Sequence, residues 1–422
     1  MKSRLLITFI LALLPLSAGA QTAQVIADVS LQDCSYTQTG GQFGVSCSIT
    51  NRFKDQGDIR YAVELLKRTA SSTVEVADMK VYDPVLSLRA EETVSIKADY
   101  TAPAFFSGKY ELWIVSKTSD GLGLSSQQLG TVSLKATDVS YLEVKDCVLY
   151  VAGEPAAKTY VLGQGVDINP DEILEGSCTV TAHTTQDMSV TPSFATHAQS
   201  VFGTVVPEAS GAQPAISFKR GETKTYAFTV PKSVTPQAYD ALLTFRAGDA
   251  ALSSPIDIRY IVRGPSAVIQ SVLLEKSRYE RGDTAYVSLL WSGSTILGGG
   301  VRKGPLADTV AKVALSLSDE NGTACADDTT FTIAANAPER HQLTAYPLKV
   351  NRFCLSPRVT VKFLDASGAT LTEKTIAFEG ERLAGDAFRV FLSAYGWYIV
   401  AGLIVILALV GGILKNRKSI AV

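Results

Sequence analysis

Between residues 21 and 394 the apolar positions recur in short runs with a period of two, each run bounded by Gly, Pro, Asn or Asp. Phe43–Thr50, Thr93–Tyr100, Lys109–Val115, Thr223–Val230, Tyr286–Trp291 and Pro357–Leu364 are examples. Successive side chains of a strand point to opposite faces, so this alternation predicts strands with one buried face. No long stretch carries the 3.6-residue period of an amphipathic helix. Many short strands set apart by turns predict an all-β chain built of sandwiches, not a parallel α/β sheet.

The two ends break the pattern. Lys2 and Arg4 precede the apolar run Leu5–Leu16, and Ala18-Gly19-Ala20 supplies a small-residue cleavage site, so residues 1–20 read as a secretory signal peptide. Tyr395–Leu414 is apolar and free of charge. As a helix it would be about 30 Å long, the thickness of a bilayer's hydrocarbon core. Tyr395, Trp397 and Tyr398 cluster at its start, where aromatic rings favour the headgroup layer, and Lys415, Arg417 and Lys418 follow its end. The reading is a single-pass type I protein whose body lies outside the cell or in the periplasm. Residues 395–414 would contact the lipid bilayer and 415–422 would form a cytoplasmic tail too short to fold. Residues 381–394 read as a juxtamembrane stalk, helical and continuous with the membrane segment.

The body repeats itself. Asp33-Cys34-Ser-Tyr36 and Asp146-Cys147-Val-Leu-Tyr150 open two units, and Val272–Tyr279 followed by Arg281-Gly-Asp-Thr284 opens a third without the cysteine. Leu88-Arg-Ala-Glu-Glu-Thr93 with Pro103 beyond it matches Phe218-Lys-Arg-Gly-Glu-Thr223 with Pro231 beyond it. Gly108-Lys-Tyr-Glu-Leu-Trp113 and Ala238-Tyr-Asp-Ala-Leu-Leu243 follow in turn. Boundaries near residues 137 and 264 give domains over 21–137, 138–264 and 265–380, each large enough for its own core. The pattern resembles bacterial surface proteins built from tandem immunoglobulin-like domains, related to cell-adhesion and fibronectin-like repeats. That resemblance implies three β-sandwiches and, by analogy alone, surface display or adhesion.

Six cysteines in an exported chain point to disulfides. They fall two to a unit: Cys34 and Cys47, Cys147 and Cys178, Cys325 and Cys354. Sequential pairing keeps each bond inside one domain, with the first two joining an opening strand to its neighbour. No C-x-x-C spacing suggests a metal or redox role.

Charge narrows the partners. The two ends hold five of the 39 Lys and Arg and none of the 41 Asp and Glu, leaving the body at 34 against 41, a net −7. An acidic body without a basic stripe argues against nucleic acid as a partner. Only His183, His197 and His341 are available as imidazoles, and no nucleophile elbow, phosphate loop, zinc or dinucleotide motif appears. The expectation is a non-enzyme without cofactor or metal, binding a protein or glycan at the cell surface.

Three local features carry candidate binding chemistry. Asp167-Ile-Asn169-Pro-Asp171-Glu172 spaces oxygens like a calcium loop, but Glu172 stands where Gly belongs and Cys178 where the closing Glu belongs, so it reads as a polar turn. Gly298-Gly-Gly-Val-Arg302-Lys303-Gly-Pro305 has the make-up of an anion nest, or of a flexible strand connection. In Lys109–Lys117, alternation sets Tyr110, Leu112 and Ile114 on one face and Lys109, Glu111, Trp113 and Lys117 on the other. Trp113 on a polar face is a candidate ligand contact, whereas Trp291 alternates with Val287 and Leu289 and should be core. Asn321-Gly-Thr323 matches a glycosylation sequon. The rival to a displayed binder is a subunit of a larger membrane complex, for which Ala401-Gly402 and Gly411-Gly412 offer close helix packing. A third reading is a tethered glycan-binding or hydrolytic array.

Overall fold

The computed structural model describes residues 28–389 apart from 69–73, 120, 138–139, 156, 199–208, 249, 295–299, 305, 336–341 and 387–388, together with 402–407. The chain is all-β. Its first part runs β1 (Val29–Thr39), β2 (Gln42–Asn51), β3 (Asp55–Arg68), β4 (Val74–Leu88), β5 (Thr93–Thr101), β6 (Gly108–Thr118) and β7 (Gly123–Leu134). Next come β8 (Tyr141–Val151), β9 (Tyr160–Val161), β10 (Val166–Ile168), β11 (Leu174–His183), β12 (Met188–Ala198), β13 (Ala209–Ala212), β14 (Ile216–Phe218), β15 (Thr223–Thr229), β16 (Gln237–Ala247), β17 (Ala250–Ala251) and β18 (Ile256–Val262). The last part runs β19 (Ala267–Leu274), β20 (Arg278–Tyr279), β21 (Thr284–Gly293), β22 (Lys312–Ser318), β23 (Thr329–Thr332), β24 (Thr344–Lys349), β25 (Cys354–Leu355), β26 (Arg358–Leu364) and β27 (Thr370–Ala377).

The same two-sheet plan appears three times. β1-β2-β5 faces β7-β6-β3-β4, β9-β8-β11-β15 faces β10-β18-β16-β12-β13, and β19-β21-β24 faces β27-β26-β22-β23. This layout is consistent with an immunoglobulin-like β-sandwich. Alternation explains the layers directly: Ile96, Ala98 and Tyr100 of β5 turn inward between exposed residues, as do Val313, Leu315 and Leu317 of β22 and Val359, Val361 and Phe363 of β26 between half-buried or exposed ones. Fully burying a Val, Leu, Ile or Phe side chain contributes about 1.5–3 kcal/mol. Three separate apolar clusters result, one per sandwich. Trp291 of β21 sits in the third, its ring 4.6 Å from Phe363 across the sheets.

The repeated sequence words have physical meanings. Asp33 and Asp146 both take φ of 49°, at or next to bulges between β1 and β2 and between β8 and β11. Asp is among the few residues that tolerate that left-handed region. The cysteine after each Asp then reaches the neighbouring strand, giving Cys34–Cys47 and Cys147–Cys178 within one sheet. Cys325–Cys354 ties the segment after β22 to β25. Each such loop closure stabilises by about 3 kcal/mol on the chain-entropy model. The acidic turn words share one geometry. Glu92 accepts the Arg89 N–H at 2.8 Å and Glu222 the Lys219 N–H at 2.8 Å, while Asp283 accepts the Glu280 N–H at 3.1 Å. Glu172 accepts the Asn169 N–H at 2.7 Å in a fourth copy.

The sandwiches are not strung in a line, because the first touches both others. Gln56 pairs with Leu88 of β4 on one side and Leu273 of β19 on the other, so the third sandwich extends the first one's sheet where β6 ends. Lys54 Nζ donates to Ser288 Oγ at 2.9 Å, Thr118 Oγ1 to the Gln270 carbonyl at 2.9 Å, and Lys374 pairs with Asp58. Phe105 stacks on Tyr141 between the first and second sandwiches. Ala238 and Ile261 pack on Val268 between the second and third.

The expected signal peptide over 1–20 and the tail over 415–422 lie outside the described residues, as does most of 395–414. Residues 402–407 are helical, with Leu403 to Leu407 exposed. Among the described residues no helix is long and apolar enough to cross a membrane.

Gly57 marks the tightest point of the seam between the first and third sandwiches: a Cβ there would lie 2.2 Å from the Ala377 carbonyl oxygen. Gly57→Ala is expected to destabilise by about 1–3 kcal/mol through overpacking. Urea unfolding measures the loss, and amide exchange should quicken at Leu273 and Leu274 while β1 and β2 stay protected.

Candidate functional site

Two polar segments far apart in the sequence meet in space. Asp167 ends up 1% exposed between the second and third sandwiches. The loop before β22 wraps it: the Arg302 N–H donates to Asp167 Oδ1 at 2.7 Å, and the Lys303 N–H donates to both carboxylate oxygens at 3.1 and 3.0 Å. A side chain at Gly300 would collide with Asp167, its Cβ only 2.2 Å from Cγ, so glycine is required for the approach. Arg263 Nη1 donates to Asp167 Oδ2 at 2.6 Å. The loop is thus a nest for an anion, and the anion is the chain's own carboxylate.

Side chains complete the clasp. Arg302 grips Glu172 with two hydrogen bonds, at 2.6 and 2.8 Å, and Glu154 with a third at 2.7 Å. Lys303 Nζ adds contacts to Glu172 at 3.0 and 3.2 Å. With Lys158 Nζ on Glu154 at 2.9 Å, four cations face three carboxylates, and the Arg302 side chain is 8% exposed. The Arg302 hydrogen bonds hold the Glu172 carboxyl well below the usual carboxylate range, and Arg302 with Lys158 holds Glu154 at about 2. Asp167 and Glu172, which resembled calcium ligands in sequence, are committed to guanidinium and ammonium groups.

Trp113 lies elsewhere, half-buried on the outward face of β6 and opposite Glu64 of β3 and Gln128 of β7. Its Nε1–H donates to Glu111 Oε2 at 3.1 Å, and Arg68 Nε donates to Glu111 Oε1 at 2.5 Å. The expectation that this face is polar is corrected. Glu111 and Val115 are buried on it, and Val115 joins Ala62 in a small apolar cluster flanked by Met79 and Val81. Sequence reasoning missed Glu64, because alternation alone places it on a solvated face. Its burial comes from β4 and β6, which close in from other parts of the chain.

The other candidates are accounted for. All six cysteines are paired as the sequence suggests. His183 stacks on Tyr141 at 4.6 Å and lies 3.4 Å from Glu143. His197 is buried on β12 opposite Asp240, and His341 lies outside the described residues. A cleft of ≈ 610 Å³ lies between the first two sandwiches, lined by Phe105, Tyr110, Tyr141 and Ile256 among others, and within it the Phe105 ring stacks on Tyr141. Asn321 is exposed in a turn held by Asp319.

No family model matches the chain, and no curated protein matches it in sequence. Among solved structures it is similar to Escherichia coli alpha-2-macroglobulin activated by porcine elastase, at 12% identity and a TM-score of 0.25, over 81% of this chain and 32% of that one. It is also similar to the FN1–FN3 domains of chicken CNTN1, at 11% identity and a TM-score of 0.17, over 83% of this chain and 97% of that one. The chain spans about a third of the alpha-2-macroglobulin it matches. Likeness at these scores carries no argument about activity.

Removing one partner from a buried ionic network leaves the others unpaired, so Arg302→Ala is expected to cost about 3 kcal/mol in urea unfolding. Glu154 and Glu172 have depressed folded values, so their contribution is present above the unfolded carboxylate value. It is lost as pH falls towards the folded values, which for Glu154 is about 2. The wild type's margin over Arg302→Ala should therefore hold at neutral pH and shrink below about pH 4.

Proposed function

We propose that the chain is a single-pass membrane-anchored surface protein. It displays three immunoglobulin-like sandwiches for non-catalytic binding to an envelope, matrix or surface partner. The observation that carries this reading is a strap just before the hydrophobic segment. Arg278 Nη1 donates to Asp386 Oδ2 at 2.5 Å, and the same carboxylate oxygen accepts the Leu383 N–H at 2.6 Å. Asp386 is only 3% exposed, so this contact outweighs its exposed neighbours Arg389–Glu280 and Arg382–Glu320. The Arg278 and Arg389 guanidiniums lie over the Phe353 ring at 5.0 and 6.0 Å. A body strapped to the start of an anchor presents its faces in a fixed orientation, which suits display. Export by residues 1–20, anchoring by 395–414 and a cytoplasmic 415–422 belong to the same proposal.

A non-catalytic role is supported by where the ionisable groups are used. The Arg302 network, the Lys374–Asp58 pair and the Glu143 contacts to Lys145 and His183 all serve packing within or between sandwiches. The second reading, a subunit of a larger membrane complex, draws on Leu403 to Leu407, whose side chains are exposed on the helical stretch 402–407.

Membrane fractionation of the full chain tests anchoring. The chain should resist alkaline carbonate extraction, and a version lacking 395–414 should be released. Exchanging 395–414 for an unrelated membrane helix should leave partner capture intact in a displayed binder and abolish it in a complex subunit. Release of the intact chain by carbonate would contradict the anchor.

A further inference from the structure

The chain blunts several of its sheet edges. On β5 the Lys97 carbonyl accepts from the Tyr61 hydroxyl at 3.4 Å, and the Asp99 carbonyl accepts from Lys80 and Tyr82 at 2.9 and 2.8 Å. Edge strand β24 carries Pro347, which cannot donate to a further strand. β8 is different. Over Tyr141–Lys145 it pairs with β11 alone, because β9 joins its other side only at Val148 and Leu149.

Hydrogen-bond alternation fixes which groups of that edge are open. The Ala182 N–H donates to the Glu222 carbonyl and the Ala182 C=O accepts from Gly221, both on the β15 side. Leu142, opposite Ala182, therefore sits in a non-hydrogen-bonded pair of β8 and β11. Its N–H turns the other way and donates to the Leu252 carbonyl at 2.7 Å. Val144 lies two residues on, opposite Val180 and with no register shift between, so its N–H and C=O also point away from β11. Among the described residues no backbone group meets them, and none meets the Leu142 C=O. Acceptor, donor and acceptor thus stand in strand order along an unpaired edge.

This edge opens on the ≈ 610 Å³ cleft between the first two sandwiches, whose walls include Leu142 and Val144. Ligand sites commonly have volumes of about 300–1,000 Å³. Half-buried Phe105 and Ile256 give the cleft apolar wall. At its rim Lys67 stands opposite Glu75 across β3 and β4, and Lys145 pairs with Glu143 at 2.6 Å, so the charges cancel. Recognition there falls to backbone groups and apolar side chains. An extended peptide presents N–H and C=O groups at the matching spacing and projects alternate side chains to two sides.

We propose that this cleft binds an extended, uncharged peptide segment of a partner protein, which adds as a strand to Leu142–Val144 of β8 and sets apolar side chains against Phe105 and Ile256. The proposal rests on the non-catalytic binding reading and names the site and the form of its partner.

The test uses the full chain and a fluorescein-labelled peptide, Thr-Val-Thr-Val-Thr-amide, beside its analogue methylated at every backbone nitrogen. Fluorescence anisotropy should rise saturably with the first, and the methylated analogue should bind about tenfold more weakly. Val144→Pro removes the N–H at an edge position where proline is tolerated, and should weaken the first peptide by a similar factor. Ser254→Trp narrows the cleft from an exposed position and should do the same. Amide exchange at Val144 should slow when the peptide is saturating. Equal binding of the two peptides, unchanged affinity in both variants, no saturable rise, or exchange at Val144 that the peptide leaves unaltered would each overturn the proposal. Val144→Pro and Ser254→Trp variants that still capture the native partner at wild-type strength refute this cleft alone. A chain that captures no partner in any form refutes the binding reading beneath it.

Discussion

The arrangement of this molecule depends on burying one carboxylate. Asp167 sits almost without solvent between two sandwiches, and an ionised group there is tolerable only if its oxygens are fully met. Two backbone N–H groups and Arg263 meet them, and Gly300 is what lets the loop come close enough. Once that loop is fixed, Arg302 is delivered to Glu154 and Glu172. The third sandwich is thereby set against the second. Its opening strand β19 can then continue the sheet of the first. A chain of three beads becomes a closed body.

That closure bears on function through orientation. A flexible string of domains presents every face to every direction, whereas a closed body strapped at Asp386 presents a fixed set. The sheet face around Trp113 and Glu64 belongs to the first sandwich, which is held by contacts to both of the others. Its strands are thus braced from two sides.

How much of this was legible in the sequence follows from the range of each interaction. Strand alternation is local, so β2, β5, β6, β15, β21 and β26 could be read directly, and so could the burial of Trp291. The Asp-Cys words were legible as repeats, although their cause, a left-handed residue at or beside a bulge, is visible only in the backbone. The calcium-like and nest-like segments each read, from local sequence, as a solitary turn or loop. Nothing local joins Asp167 to Arg302 across 135 residues. Glu64 escaped for the same reason, since a carboxylate at an outward strand position reads as solvated until β4 and β6 are placed beside it. Trp113 stands out in the sequence by its place among polar neighbours, whereas the apolar contact of Val115 with Ala62 on the same face is visible only in the structure.

The central claim is that the three sandwiches form one closed body. The chain has no free cysteine among its described residues, so spin labels can be attached at Lys97→Cys on β5 and Thr370→Cys on β27. Pulsed dipolar spectroscopy on the full chain then reads the distance between the first and third sandwiches. A single narrow distribution, broadened when Arg302→Ala is added, is the result the account predicts. A broad distribution in the wild type, unchanged by Arg302→Ala, would mean the sandwiches swing freely and would contradict it.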